Sequence, residues 1–139
     1  MTFLSSFLLC GCVLLMDGPV YSQDEPDVDC DNAQTQQDMN FCADKDYQAA
    51  DAELNAQWKL TKKALAAWDS DLSDDLKGAE KALLASQRAW ITYRDAQCEL
   101  EGFSMRGGTA EPLMVSSCLA TLTKQRTEEL KRLAADMGN

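Results

Sequence analysis

Residues 86–98, reading SQRAWITYRDAQC, pack aromatic, basic, amide and cysteine side chains more densely than any other stretch of the 139-residue chain. At helical steps of three and four, Leu83, Gln87, Trp90, Arg94 and Cys98 share one stripe, with Leu84 and Ile91 beside it. A guanidinium on or beside a buried face requires an acceptor, because an unpaired buried charge is too costly to persist. The chemistry offered here is hydrogen bonding and ion pairing by Arg88 and Arg94 to partners elsewhere in the chain.

Catalytic chemistry is poorly supplied. The chain has no histidine, which removes Ser-His-Asp and Cys-His nucleophilic machinery and any imidazole base. Carboxylates are plentiful, but Asp74-Asp75 and Glu128-Glu129 read as helix-start and solvated polar-face residues, so no catalytic residue is assigned and the chain is not read as an enzyme. The cysteines after residue 22 are Cys30, Cys42, Cys98 and Cys118, separated by 12, 56 and 20 positions. Without a C-x2-C pair or a histidine this is no zinc pattern, and neither metal nor cofactor is expected. An even set in an exported chain implies two disulfides.

Export is read from the amino end. Residues 3–16 form an apolar run too short to span a bilayer, and Val20-Tyr21-Ser22 offers small residues at positions −3 and −1. Residues 1–22 are therefore expected to be a signal peptide cleaved before Gln23, although the stretch lacks the usual Lys or Arg. Leu9-Cys10-Gly11-Cys12 gives an alternative lipobox with a lipid anchor at Cys12, with few apolar residues ahead of it. Residues 23–29 read as a flexible leader and 30–139 as one helical domain. Once Asp17 leaves with the signal, 13 basic residues face 22 acidic ones, a net charge of −9. Such a surface disfavours nucleic acid and anionic membranes and helps steer a cationic protein partner. The expected location is periplasmic or secreted, with no transmembrane span.

The elements that position these groups are helices. Only 7 Gly and 3 Pro accompany abundant Ala, Leu, Gln, Glu and Lys. From Gln36 to Trp68 there is neither Gly nor Pro, and Met39, Ala43, Tyr47, Ala50, Leu54, Trp58, Thr61, Leu65 and Trp68 keep phase throughout. The expected architecture is all-α: an antiparallel three-helix bundle with helices at about 36–69, 74–101 and 111–137. Thr35 with Asp38 resembles a capping box for the first helix, and Ser73 is the expected N-cap of the second. Gly78 would then lie inside the second helix at a cost of about 1 kcal/mol relative to Ala. The expected core face of that helix is Leu76, Leu83, Gln87, Trp90, Arg94 and Cys98. Residues 102–109, reading GFSMRGGT, form the turn into the third helix, on which Glu128 and Arg132 are expected to pair.

Four cysteines allow three pairings, and geometry favours one. Residues 31–34 can fold back along the first helix to bring Cys30 to Cys42, while Cys98 and Cys118 are nearly equidistant from Gly108 and come opposite each other in a helical hairpin. Closing that second loop contributes about 3 kcal/mol on the chain-entropy account.

Three blocks, CDNAQTQQDMNFCADKDYQAADAELNAQW, SQRAWITYRDAQC and GGTAEPLMVSSCLATLTKQRTEEL, resemble the lysozyme-inhibitor LprI-like domain of bacterial exported proteins. The resemblance runs from Cys30 to about Leu133. Its most specific parts are Asp51 with Leu54-Asn55, Gln87-Arg88-x-Trp90 with Tyr93-Arg94-Asp95-x-x-Cys98, and Gly107-Gly108 followed by Cys118-Leu119 and Thr123-x-x-Arg126-Thr127. It implies an exported protein that binds and occludes a muramidase without catalysis; the alternative is a periplasmic adaptor docking another envelope protein. No inhibitory residue carries over, and the weak lipobox departs from the lipidated namesake.

Two groups of residues remain to be placed. Asp51, Asn55, Gln87, Arg88, Arg94, Asp95 and Arg126 are expected to form a polar network between the helices, with Arg94 or Arg126 meeting Asp51. Trp58, Trp68 and Trp90 are expected in the core. The turn supplies Phe103, Met105, Arg106, Gly107 and Gly108, an aromatic and a cation on flexible backbone, as the candidate partner-binding loop.

Overall fold

The computed structural model describes residues 28–137. The expected signal, the Cys12 lipobox and all of the leader except Val28 and Asp29 lie outside the described residues. Three α-helices follow in order: α1 (Gln36–Ser70), α2 (Ala79–Gly102) and α3 (Glu111–Met137). Short 3-10 turns at Cys30–Asn32 and Phe103–Met105 precede α1 and follow α2. There is no strand among the described residues. The described residues form an all-α three-helix bundle in which sequence neighbours run antiparallel and α1 and α3 run parallel.

The start of α1 is the expected capping box. Thr35 Oγ1 accepts the Asp38 N–H at 3.1 Å, and Asp38 Oδ2 accepts the Thr35 N–H at 3.4 Å. With no helix breaker before Trp68, α1 continues for 35 residues, about 52 Å. Both disulfides form as expected. Cys30–Cys42 ties the first 3-10 turn to α1 with a Cα–Cα distance of 5.5 Å, and Cys98–Cys118 joins α2 to α3 at 5.4 Å.

The start of α2 differs from expectation. Ser73 does not cap it; its hydroxyl donates to Asp75 at 2.6 Å within a preceding turn. The cap is Asp69 at the end of α1, whose carboxylate accepts the backbone N–H groups of Gly78, Ala79 and Glu80 at 2.9, 3.0 and 3.0 Å. Gly78 thus stands at the entrance to the helix, not inside it. Its φ of 143° is one that a side chain disfavours. With α2 beginning at Ala79, Leu76 lies in the loop and is 65% exposed instead of packing in the core.

The core centres on Leu54, Leu65, Leu83 and Leu130, with Trp58, Trp90, Leu133 and Met137 packed against them. Trp68 departs from expectation and is 39% exposed near the end of α1. Contact between α1 and α3 is the most extensive in the fold, whereas α2 meets α1 only sparsely. Small buried residues line the close pair: Ala50 and Thr61 on α1, and Ala120, Thr123 and Thr127 on α3. The Thr61 hydroxyl donates to the Leu130 carbonyl at 3.0 Å across the helices, so burying it leaves no unmet donor. On the surface, Glu128 pairs with Lys131 at 2.6 Å and not with Arg132.

Candidate functional site

The polar seam is built where α2 lies over α1 and α3. Arg94 is buried on α2, and its guanidinium is shared among three helices. Nε donates to Asp95 at 2.9 Å, Nη1 reaches Thr123 Oγ1 at 3.4 Å, and Nη1 lies 3.7 Å from Asp51 Oδ1. The other Asp51 oxygen accepts from Asn55 at 2.7 Å. The guanidinium also faces the rings of Tyr47 at 5.4 Å and Trp90 at 5.1 Å. Burial raises the Tyr47 phenol above its ordinary pKa; Arg94 opposes this, and Asp51, Asp95 and Asp44 add to it.

Arg126 on α3 forms the second half of the seam. Its side chain donates to Gln87 at 3.0 Å, Ser86 at 2.8 Å and Glu129 at 2.9 Å, and its guanidinium lies 5.9 Å from the Trp90 ring. Trp90 is therefore in cation-π range of both arginines, and it connects two clusters that sequence reasoning grouped as one. Of the two cations expected near Asp51, it is Arg94 that meets it.

Arg88 stands outside the seam. Six residues from Arg94, it projects about 120° away around α2, onto the exposed side. Asn55 and Asp95 are exposed members at the rim. Tyr47, Ser86, Thr123 and Glu129 take part without having been singled out for this role. The α1 stripe already contained Tyr47, and Ser86 opened the motif, but their partners depend on the packing of α3. Every buried side-chain nitrogen and oxygen among the described residues has a hydrogen-bond partner. The seam can therefore orient helices, and it leaves no unmet group directed at a ligand.

At one end of the bundle, the turn after α2 presents an apolar tip. Leu100, Phe103 and Met105 are 64%, 53% and 47% exposed. The glycines do not leave this turn loose. Glu111, at the start of α3, accepts from Arg106 at 2.9 Å and from the Gly107 N–H at 2.8 Å. Gly108 N–H donates to the Met105 carbonyl at 2.9 Å, and Asn40 of α1 donates to the Thr109 carbonyl at 2.9 Å. Arg106 is paired with Glu111 and stacked 4.5 Å from the Phe103 ring. Leu100 and Glu111 are the tip residues that the sequence did not single out. Among the described residues no group of three or more His, Cys, Asp or Glu is placed to hold a metal ion, and no helix is long and apolar enough to cross a membrane.

The profile of the family described as "Lysozyme inhibitor LprI" matches residues 29–130, which takes in both disulfides, the seam and the tip. The chain belongs to the LprI family. An uncharacterized protein of Rhizobium meliloti (strain 1021) is 50% identical to it over 137 residues, 96% of this chain and 94% of that one. The crystal structure of a DUF1311 family protein from Pseudomonas putida KT2440 superposes with a TM-score of 0.63 at 26% identity, covering 75% of this chain and 98% of that one. This LprI-family chain thus shares its bundle with a solved relative.

Proposed function

We propose that this LprI-family protein is exported, loses residues 1–22, and binds a muramidase in the periplasm or outside the cell, occluding its cleft without catalysis. The observation that carries this reading is the exposure of Leu100 near the end of α2 and of Phe103 and Met105 on the braced turn that follows it. An inhibitor tip gains from being ordered before it binds, because less conformational freedom is lost in the complex. A glycosidase cleft presents two carboxylates. Arg106, held over Phe103 and still exposed, supplies a cation beside an aromatic anchor of the kind that dominates interfaces. The acidic body favours encounter with a cationic enzyme. The two disulfides suit an oxidising compartment.

The test is lysis of a peptidoglycan suspension by c-type and g-type lysozymes, with and without the oxidised chain, across a salt series. The expected result is inhibition that saturates near equimolar protein and survives moderate salt. Inhibition abolished by modest salt reduces the effect to attraction between an acidic rod and a basic enzyme. No inhibition of either enzyme removes the reading.

A further inference from the structure

One exposed row on α2 lies outside the proposed tip, and of its residues only Asp95 is engaged by the seam, through Arg94. Lys81, Leu84, Arg88, Ile91, Asp95 and Glu99 recur at steps of three and four, and all six are exposed. Leu84 and Ile91 are 42% and 40% exposed, an apolar pair at the middle of the row. An open groove lined by Trp58 of α1 and by Leu84 and Lys81 runs beside its first half. α2 meets α1 only sparsely, and this row of α2 stands exposed. Its charges are sorted: cations precede Ile91 and carboxylates follow it. Among the described residues, Lys81, Arg88 and Glu99 have no ion pair.

We infer that this row is the contact surface for a second copy of the chain, packed α2 against α2 and antiparallel across a two-fold axis near Ile91. The charge order selects that occupant. Arg88 lies three residues before Ile91 and Asp95 four after it, so an antiparallel copy brings Arg88 opposite the second copy's Asp95 with an axial mismatch of about 1.5 Å. Lys81, ten residues before, comes within about 3 Å along the axis of the level of the second copy's Glu99, eight after. The two-fold repeats each pairing and sets Ile91 against Ile91. A parallel arrangement would place like charges together, and a two-fold contact closes without forming a filament. Asp95 already accepts from Arg94, and a carboxylate has lone pairs for a second donor. The two tips then point in opposite directions, and both remain free.

Sedimentation equilibrium tests this on the chain from Gln23, which contains every described residue, from low micromolar to several hundred micromolar. The expected result is a reversible dimer weakened by salt. Arg88→Glu faces Asp95 with a like charge twice per dimer and should weaken association by about tenfold or more. Ile91→Glu should do the same. Tyr93→Glu, exposed about 160° around the helix from Ile91, should leave it unchanged. Circular dichroism establishes that each variant is folded; Arg88 is exposed and without an ion pair, so that variant decides the matter if Ile91→Glu unfolds. A wild-type chain that remains monomeric throughout overturns the inference. So does a dimer indifferent to Arg88→Glu, or one weakened equally by Tyr93→Glu. None of these outcomes depends on muramidase inhibition.

Discussion

Asp69, the second-last residue of α1, caps the next helix by accepting the backbone N–H of Gly78 at 2.9 Å. Its carboxylate also takes the N–H groups of Ala79 and Glu80, so one side chain meets three donors that the start of α2 would otherwise leave to water. These bonds hold the Asp69 carboxyl below its ordinary pKa, with Gly78 the largest contributor. A group whose pKa is depressed by folding stabilises the native state above its unfolded pKa, and that contribution is lost as pH falls through the folded value. Asp69→Ala should lower Tm at neutral pH, and the gap between variant and wild type should close in acid below the ordinary carboxylate range. Thermal melts of both proteins from pH 7 down to pH 2 measure this. Asp74→Ala, at an exposed loop carboxylate paired only with Lys77, should cause a smaller loss at neutral pH.

The same residue marks where sequence reading stopped. The 35-residue α1 was legible because its phase never slips and its cap is local, within four residues of sequence. The cysteine count left three pairings open, and only the expected helix geometry supported the two that form. The α2 start was not, because its cap comes from ten residues upstream, while Ser73 offered a local motif that the chain does not use. Arg94 was placed correctly on a buried face by periodicity. Arg88 was grouped with it by motif, although periodicity alone would have put it outside. The braced turn depended on Glu111 reaching back to Gly107, a contact that glycine content does not reveal.

Arg94→Met should destabilise the bundle by about 2–3 kcal/mol. The substitution removes bonds to Asp95 and Thr123 and ring contacts to Tyr47 and Trp90, while keeping most of the buried volume. The cost stays below that of a fully buried broken pair because Asp51 and Asp95 retain access to water, at 42% and 56% side-chain exposure. Asp51→Asn should cost less than about 1 kcal/mol, since its 3.7 Å contact with Arg94 is long and partly solvated. Urea unfolding at neutral pH separates the two.

Gly102→Ala should destabilise by about 1–3 kcal/mol through overpacking. A Cβ at this buried position would sit 2.6 Å from Cγ2 of Val115 on α3. The two helices approach this closely just beyond the Cys98–Cys118 bridge, which prevents them from simply separating. The paired variant Gly102→Ala with Val115→Ala should recover part of the loss. A double-mutant cycle by urea unfolding reports the coupling. Additive losses would place the strain somewhere other than this contact.

The tip makes the sharpest functional prediction. Phe103→Ala with Arg106→Ala should raise the half-inhibitory concentration against a susceptible lysozyme by about thirtyfold or more, the loss of roughly 2 kcal/mol typical of a contact hot spot. Both side chains are exposed and contribute little to the core, so unfolding should be almost unchanged. Removing Arg106 leaves Glu111 bonded to the Gly107 N–H, so the turn keeps its shape and the comparison reads contact instead of order. Glu111→Gln tests that order separately: Phe103 and Arg106 are both retained, while the carboxylate that braces Gly107 and pairs with Arg106 is neutralised. If preorganisation outweighs the positive charge this frees on Arg106, the variant should bind more weakly, through both slower association and faster dissociation. Unchanged inhibition by the Phe103 and Arg106 double variant would move the contact away from the tip, and the next surface to test would be the seam rim at Asn55 and Asp95.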